Sequence, residues 1–211
     1  MEPDSQQVAD WLTRHPDFFN DHPQLAADLR IPHPHGAHAV SMSERQLITL
    51  REKIRMLEGK LAELIRFGEE NDAISDKLHT LAVALTAAAT PTEAATVLAL
   101  HLSDGFAVPH HVLRLWQDGG VTQSAIDATA ALPRPACGAL AVAAASDWFG
   151  EVSPHLKSFA TLPLRTAHDQ PPLGLLVLAS EEDRRFYPGM GTLFLERLAQ
   201  LLAAAFARMP G

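Results

Sequence analysis

Histidine and cysteine are the residues of this chain best suited to chemistry near neutral pH, and their placement sets the first question. His15, His22, His33, His35 and His38 crowd into the first forty residues, whereas Cys137 is the single thiol of the 211-residue chain. Imidazoles are common ligands for zinc and nickel. A structural zinc site, however, needs ligands that converge tetrahedrally, usually with cysteines, and Cys137 is far away in sequence. His33 and His35 flank Pro34 in a stretch that prolines hold extended, while the other histidines fall on different elements. No metal site is expected, and Asp17 and Asp21 read as helix caps rather than ligands.

Cys137 would need a neighbouring base or a helix N-terminus to become a nucleophilic thiolate. Histidines exist in the chain, but none is paired with it by spacing. A small, partly buried apolar side chain is the plainer reading. The pair Arg184-Arg185 before Phe186 in "DRRFYPG" can receive a phosphate, yet it reads more simply as a solvent-facing turn before the last helix. Asp118-Gly119-Gly120 reads as hairpin punctuation, and no glycine loop of a nucleotide fingerprint occurs.

These residues need elements to hold them, and composition limits what those are. With 47% hydrophobic and 20% charged residues, the chain can bury a sizeable core. It holds 9 basic against 14 acidic residues up to residue 90 and 8 against 11 beyond, so neither part is basic. Phosphate backbones are bound through Lys and Arg that displace counterions, so direct nucleic-acid binding is not expected, nor is adhesion to anionic membranes. The N-terminal "MEPDSQQVADWL" lacks a basic flank, and no apolar run approaches the ~18 residues of a membrane span. The expected location is cytoplasmic, consistent with a lone cysteine.

Three pieces follow along the chain: a docking arm at residues 1–40, a long helix at 41–89 and a mixed domain at 90–211. In the arm, Ser5 can cap a helix whose Val8, Trp11 and Leu12 share a face until Pro16 stops it. A turn with Phe18 and Phe19 precedes a helical stretch carrying Leu25 and Leu29. Helices this short need an apolar partner. "IPHPHGAHAV" is extended.

Ser41 and Glu44 have the spacing of a capping box and open the long helix. Its apolar residues fall at Leu47, Leu50, Ile54, Leu57, Leu61 and Leu64, in the alternating steps of a coiled-coil seam. A second step of three, to Phe67, makes a stammer, after which the seam runs on through Asn71, Ile74, Leu78, Leu81 and Leu85. About forty residues span roughly 60 Å at ~1.5 Å per residue, too long to bury the stripe on so small a chain. A second copy is the expected partner, with Leu47, Leu50, Ile54, Leu57, Leu61, Leu64, Phe67, Asn71, Ile74 and Leu78 at the interface. Asn71 is the kind of polar seam residue that fixes register. Gly59 and Gly68 weaken the helix.

From residue 90 the pattern turns to α+β. Thr90, Pro91 and Glu93 mark a helix start. "HHVLRLWQDGG" alternates as a strand and hairpin would. "FATLPLRTAHDQPPLGLLVLAS" gives two strands joined by a polar loop, expected to pair antiparallel. The chain closes with a helix bearing Phe194, Leu195, Leu198, Leu201, Leu202 and Ala205 on one side. Helices on one face of a central antiparallel sheet are expected. "ALPRPACGALAVAAASDWFGEV" reads equally as strand or helix.

Taken together, "HPDFF", "LRIPHPHGAHAVSMSERQLITLR", "ELIRFGEENDAI", "CG", "FATLPL", "GLLVLAS" and "RFYPGMGTLFLERLAQLL" resemble the bacterial domain-of-unknown-function 484 family across nearly the whole chain. The resemblance implies a helical arm, a long helix and a C-terminal GAF-like domain, with a sheet of about six antiparallel strands and a ligand pocket. Within such a domain, Cys137, Gly138, Phe149, Phe159 and Leu162 are the candidate ligand-binding residues. GAF-like methionine-sulfoxide reductases use several cysteines, bilin-binding GAF domains place His after the Cys, and cyclic-nucleotide GAF domains carry an Asn-Lys-Phe-x-Glu signature; none of these patterns is present here. The expected function is a non-enzymatic, homodimeric sensor or adaptor that binds a small ligand or protein partner, its cofactor unknown. A Cys137-dependent enzyme, or a scaffold whose pocket is filled by its own side chains, are the alternatives.

Overall fold

The long apolar stripe does form one continuous element. The computed structural model describes residues 4–32, 39–167 and 169–209 and places helix α4 over Met42–Ala87, 46 residues that extend about 69 Å at ~1.5 Å per residue. Gly59 and Gly68 lie within it without interrupting it, each with open space around its Cα. The chain divides into two compact units, Met1–Gly68 and Glu69–Gly211, so the division falls inside α4.

In the first unit, α1 (Ser5–Arg14) is capped by Asp4 rather than Ser5, and the Gln7 side-chain carbonyl accepts from the Asp4 backbone N–H at 3.3 Å. Next come α2 (Phe18–Asp21) and α3 (Pro23–Asp28), the second opened by proline. Asp17 stands before α2, but its carboxylate accepts from the Asn20 side chain at 3.2 Å, not from a helix N–H. Strands β1 (Arg30–Pro32) and β2 (Ala39–Ser41) pair antiparallel, Ile31 opposite Val40. The extended reading of the proline-rich stretch holds at both ends; His33, His35 and His38 lie outside the described residues. So do the side chains of Ser41 and Glu44, although α4 does begin at the residue after Ser41.

The second unit is α+β. Its sheet consists of β3 (His110–Leu115), β4 (Ala136–Gly138), β5 (Ser158–Leu164) and β6 (Gly174–Ser180), ordered β3-β6-β5-β4 and antiparallel throughout. The β5–β6 hairpin was legible from its two apolar runs. The Gly-Gly turn was not a hairpin: β3 pairs with β6, and Gly119 and Gly120, at φ +73° and +72°, lead into helix α6 (Gln123–Ala130), capped by Thr122. Four strands are described where the family resemblance implies about six.

Period-2 alternation along β5 and β6 separates two cores. Ala160, Leu162, Leu164, Leu176 and Leu178 face the end of α4, helix α5 (Pro91–Leu100) and helix α7 (Leu193–Ala207), and they join a cluster with Leu81, Leu85, Leu98 and Leu202. On the other side Leu175, Val177 and Ala179 pack with Ala125 of α6 and with Val142, Ala145 and Phe149. Both faces are therefore covered, one by long helices and the other by α6 and the 3₁₀ stretch Ala143–His155, which the Ala-rich sequence had left open. Thr90 caps α5 as expected, accepting from the Glu93 N–H at 3.2 Å. The Glu93 carboxylate reaches back to the N–H of Ala89, one residue earlier than a capping box requires, at 2.8 Å. The far end of α4 is closed by Arg208, the residue after α7, whose guanidinium donates to the carbonyls of Leu85, Thr86 and Ala88 at 2.7 to 3.3 Å.

Candidate functional site

Where the second unit's large core meets solvent, it leaves an apolar cavity of about 300 Å³. Its floor is Leu178 of β6, and its walls are Ile74 and Leu78 of α4, Leu102 and Phe106 of the π-helical turn that follows α5, and Phe194 and Leu198 of α7. The loop before α7 supplies Arg185, Phe186 and Met190. Volume and lining match what small-molecule sites use: a concave, mostly apolar surface with a few polar groups at the edge. Those polar groups are Lys77 and Arg185. Both meet at Phe106, the Lys77 Nζ at 5.9 Å from its ring centroid and the Arg185 guanidinium donating to its carbonyl at 2.7 Å.

Two wider grooves, of about 490 and 520 Å³, run along the Pro133–Pro135 segment. The first holds Arg165 and Glu196, but both are engaged: Arg165 donates to the carbonyls of Ala130, Leu132 and Gln170, closing the C-terminus of α6, and Glu196 accepts from Thr192. The second contains Cys137. Burial pushes the Cys137 thiol above its ordinary pKa, so it stays protonated and is a poor nucleophile at neutral pH. The smaller apolar cavity is the better candidate ligand site, because its lining is mostly apolar and Arg185 donates there to one carbonyl where Arg165 donates to at least three.

The residues expected to line one pocket are divided by the sheet. Cys137 packs against the large core and Leu162 is wholly buried within it, whereas Phe149 and Phe159 stack edge to face on the opposite side, ring centroids 6.2 Å apart. Gly138, at φ +121°, lets Pro188 approach so closely that a Cβ would meet its ring at 2.9 Å. Of the five, Cys137 alone lines one of these cavities. Of the residues that line the apolar cavity, Ile74 and Leu78 read in the sequence as helix seam, and Lys77 and Phe106 carry no signal there. Arg185 and Phe186 of "DRRFYPG" read in the sequence as a turn before α7.

The seam residues of α4 have two different fates. Leu47, Leu50, Ile54, Leu57, Leu61, Leu64 and Phe67 are 43% to 66% exposed, whereas Leu78, Leu81 and Leu85 are 9%, 0% and 1% exposed. Asn71 is exposed and stands between them, with Ile74 half-buried. In the first unit the aromatic rings pack mainly on each other: Trp11 stacks on His15 at 4.4 Å, and Phe18 contacts Trp11, Phe19 and His22 at 4.7 to 5.2 Å. His15 Nδ1 lies 2.8 Å from the Trp11 carbonyl. Val8, Trp11, Leu25 and Leu29 remain 40% to 46% exposed. Among the described residues no three His, Cys, Asp or Glu side chains gather as a metal site would require, and no helix is long and apolar enough to cross a membrane.

The model of a family described as "Protein of unknown function, DUF484" matches residues 1–210. A relative from Salmonella typhimurium, "Uncharacterized protein YigA", is 24% identical over 219 residues, which cover 98% of this chain and 92% of that protein.

Proposed function

The chain belongs to the DUF484 family, and from that premise we propose that it is a non-enzymatic, homodimeric sensor or adaptor whose GAF-like C-terminal unit holds a small ligand. The observation that carries the reading is that α4 supplies both an unpartnered apolar seam, Leu47 to Phe67, and part of the cavity wall, Ile74, Lys77 and Leu78. Burial of a leucine-sized side chain is worth about 1.5–3 kcal/mol. Seven such side chains in coiled-coil spacing give a second copy ample reason to pair along them. A ligand lodged against Ile74 and Leu78 touches the same helix that pairs, so occupancy and pairing are expected to influence each other. Supporting the GAF-like assignment are the antiparallel sheet, the α4 and α7 helices on one face and a cavity at the edge of that layer. Burial raises the Cys137 pKa, which counts against the Cys137-dependent alternative.

Native mass spectrometry of the purified full chain tests both halves at once. A dimer carrying a bound small molecule is the expected result. A monomer at every concentration in light scattering would remove the pairing, and a dimer that neither co-purifies with a ligand nor responds thermally to any compound would leave only a scaffold.

A further inference from the structure

The charge around the cavity runs against that of the chain. The protein carries a formal net charge of −8, yet the residues lining this cavity include Lys77 and Arg185 and no acidic side chain. Two other arginines of the second unit are held by helix ends: Arg165 and Arg208 close the C-termini of α6 and α4. Lys77 and Arg185 instead converge on Phe106, and neither forms an ion pair among the described residues. The nearest acidic side chains of the adjoining groove are Glu181 and Glu182, and Glu181 is drawn to His110 at 3.5 Å. Arg185 uses one Nη on the Phe106 carbonyl, which leaves the rest of its donor fork available. An unpaired lysine and a half-used arginine at the mouth of an apolar hole together make a receptor for a negatively charged head on an apolar body.

Resting on the ligand-binding reading above, we infer that the cavity takes an organic anion: a monocarboxylate with one compact apolar chain, its carboxylate held by Lys77 and Arg185 and its chain inserted among Leu78, Leu178, Phe186 and Leu198. A volume of about 300 Å³ suits a single short chain and excludes a two-chain lipid. The charge of the two cations selects the head, and the apolar side chains that make up the rest of the lining select the hydrocarbon.

Calorimetric titration of the full chain with decanoate, with decanol and with decylamine tests this. Decanoate is expected to bind roughly tenfold or more tighter than decanol, in keeping with one or two charge-assisted hydrogen bonds. Decylamine is expected not to bind. Lys77→Gln and Arg185→Gln should each weaken decanoate roughly tenfold while leaving decanol unchanged, with circular dichroism reporting that the variants fold. Leu198→Trp, which fills the cavity, should abolish both. If decanol equals decanoate, or the two glutamine variants bind decanoate as the parent does, the anion assignment fails while the ligand-binding reading survives. If no member of the series binds, the assignment also fails, and the ligand-binding reading then rests on whether native mass spectrometry finds a co-purified molecule.

Discussion

The two stretches of α4 on either side of Asn71 are written in the same apolar spacing and end in opposite environments. Leu78, Leu81 and Leu85 lie on Leu98, Leu202 and the sheet, whereas the residues from Leu47 to Phe67 stay in solvent. Periodicity therefore specifies that a helix has a stripe, not what covers the stripe. The sheet and α7 are the cover after Asn71. Before it the chain brings none among the described residues, and that bareness is the reason for proposing a second copy.

The comparison can be broken most forcefully from its buried side. Leu81→Ala removes a wholly buried side chain and should cost about 2–5 kcal/mol, read as a lower urea midpoint for the second unit. A midpoint that did not move would mean that this stretch is no more a core than the first. Arg208→Ala leaves three carbonyls at the end of α4 without their donor and should cost about 1 kcal/mol, moderated because the guanidinium is exposed. Thr90→Ala removes the cap of α5 at about 1 kcal/mol or slightly less, measured in the same way.

Gln at both Leu57 and Leu61 sharpens the contrast: the second unit's stability should change by less than ~0.5 kcal/mol, while light scattering should show the dimer lost. The smallest effect expected is at His111, whose pKa burial pushes below the usual 6.5, its nearby His110 adding to the shift and the carbonyls of Val108 and Pro109 offsetting it in part. The unfolded chain then binds the proton more readily, so stability is whole above pH 6.5 and declines as pH falls from there toward the lowered folded value. His111→Gln should flatten that segment of a stability-against-pH curve, and a curve of unaltered slope would assign the acid sensitivity elsewhere.

Elements whose signal is local were legible in the sequence. The length of α4 follows from its seam, α5 from Thr90 and Pro91, α7 from its leucines, and the β5–β6 hairpin from two apolar runs about a polar loop. What escaped depends on partners distant in sequence. Nothing in "HHVLRLWQDGG" says that His110–Leu115 will pair with Gly174–Ser180 instead of folding back, and a Gly-Gly pair serves a helix entry as well as a turn. The three residues of β4 are too few to carry a pattern and are held in place by β5. For the same reason the lining of the apolar cavity was not legible in the sequence. Its walls come from five separate segments, and Phe149 and Phe159, promising aromatics in a row of letters, fall on the sheet's far side. Lys77 and Arg185 stand more than a hundred residues apart and come together only through Phe106.

Gly138 reads in the sequence as a piece of pocket wall, and its lack of a side chain gives it a different bearing. The loop whose Pro188 rests against it also carries Phe186 and Met190, which close one side of the apolar cavity. A methyl group at position 138 would act as a shim between β4 and that loop, so that Pro188 would have to shift with no change to any residue that lines the cavity. Gly138 thus sets how closely that loop can lie against β4, a spacing fixed by an atom the residue does not have.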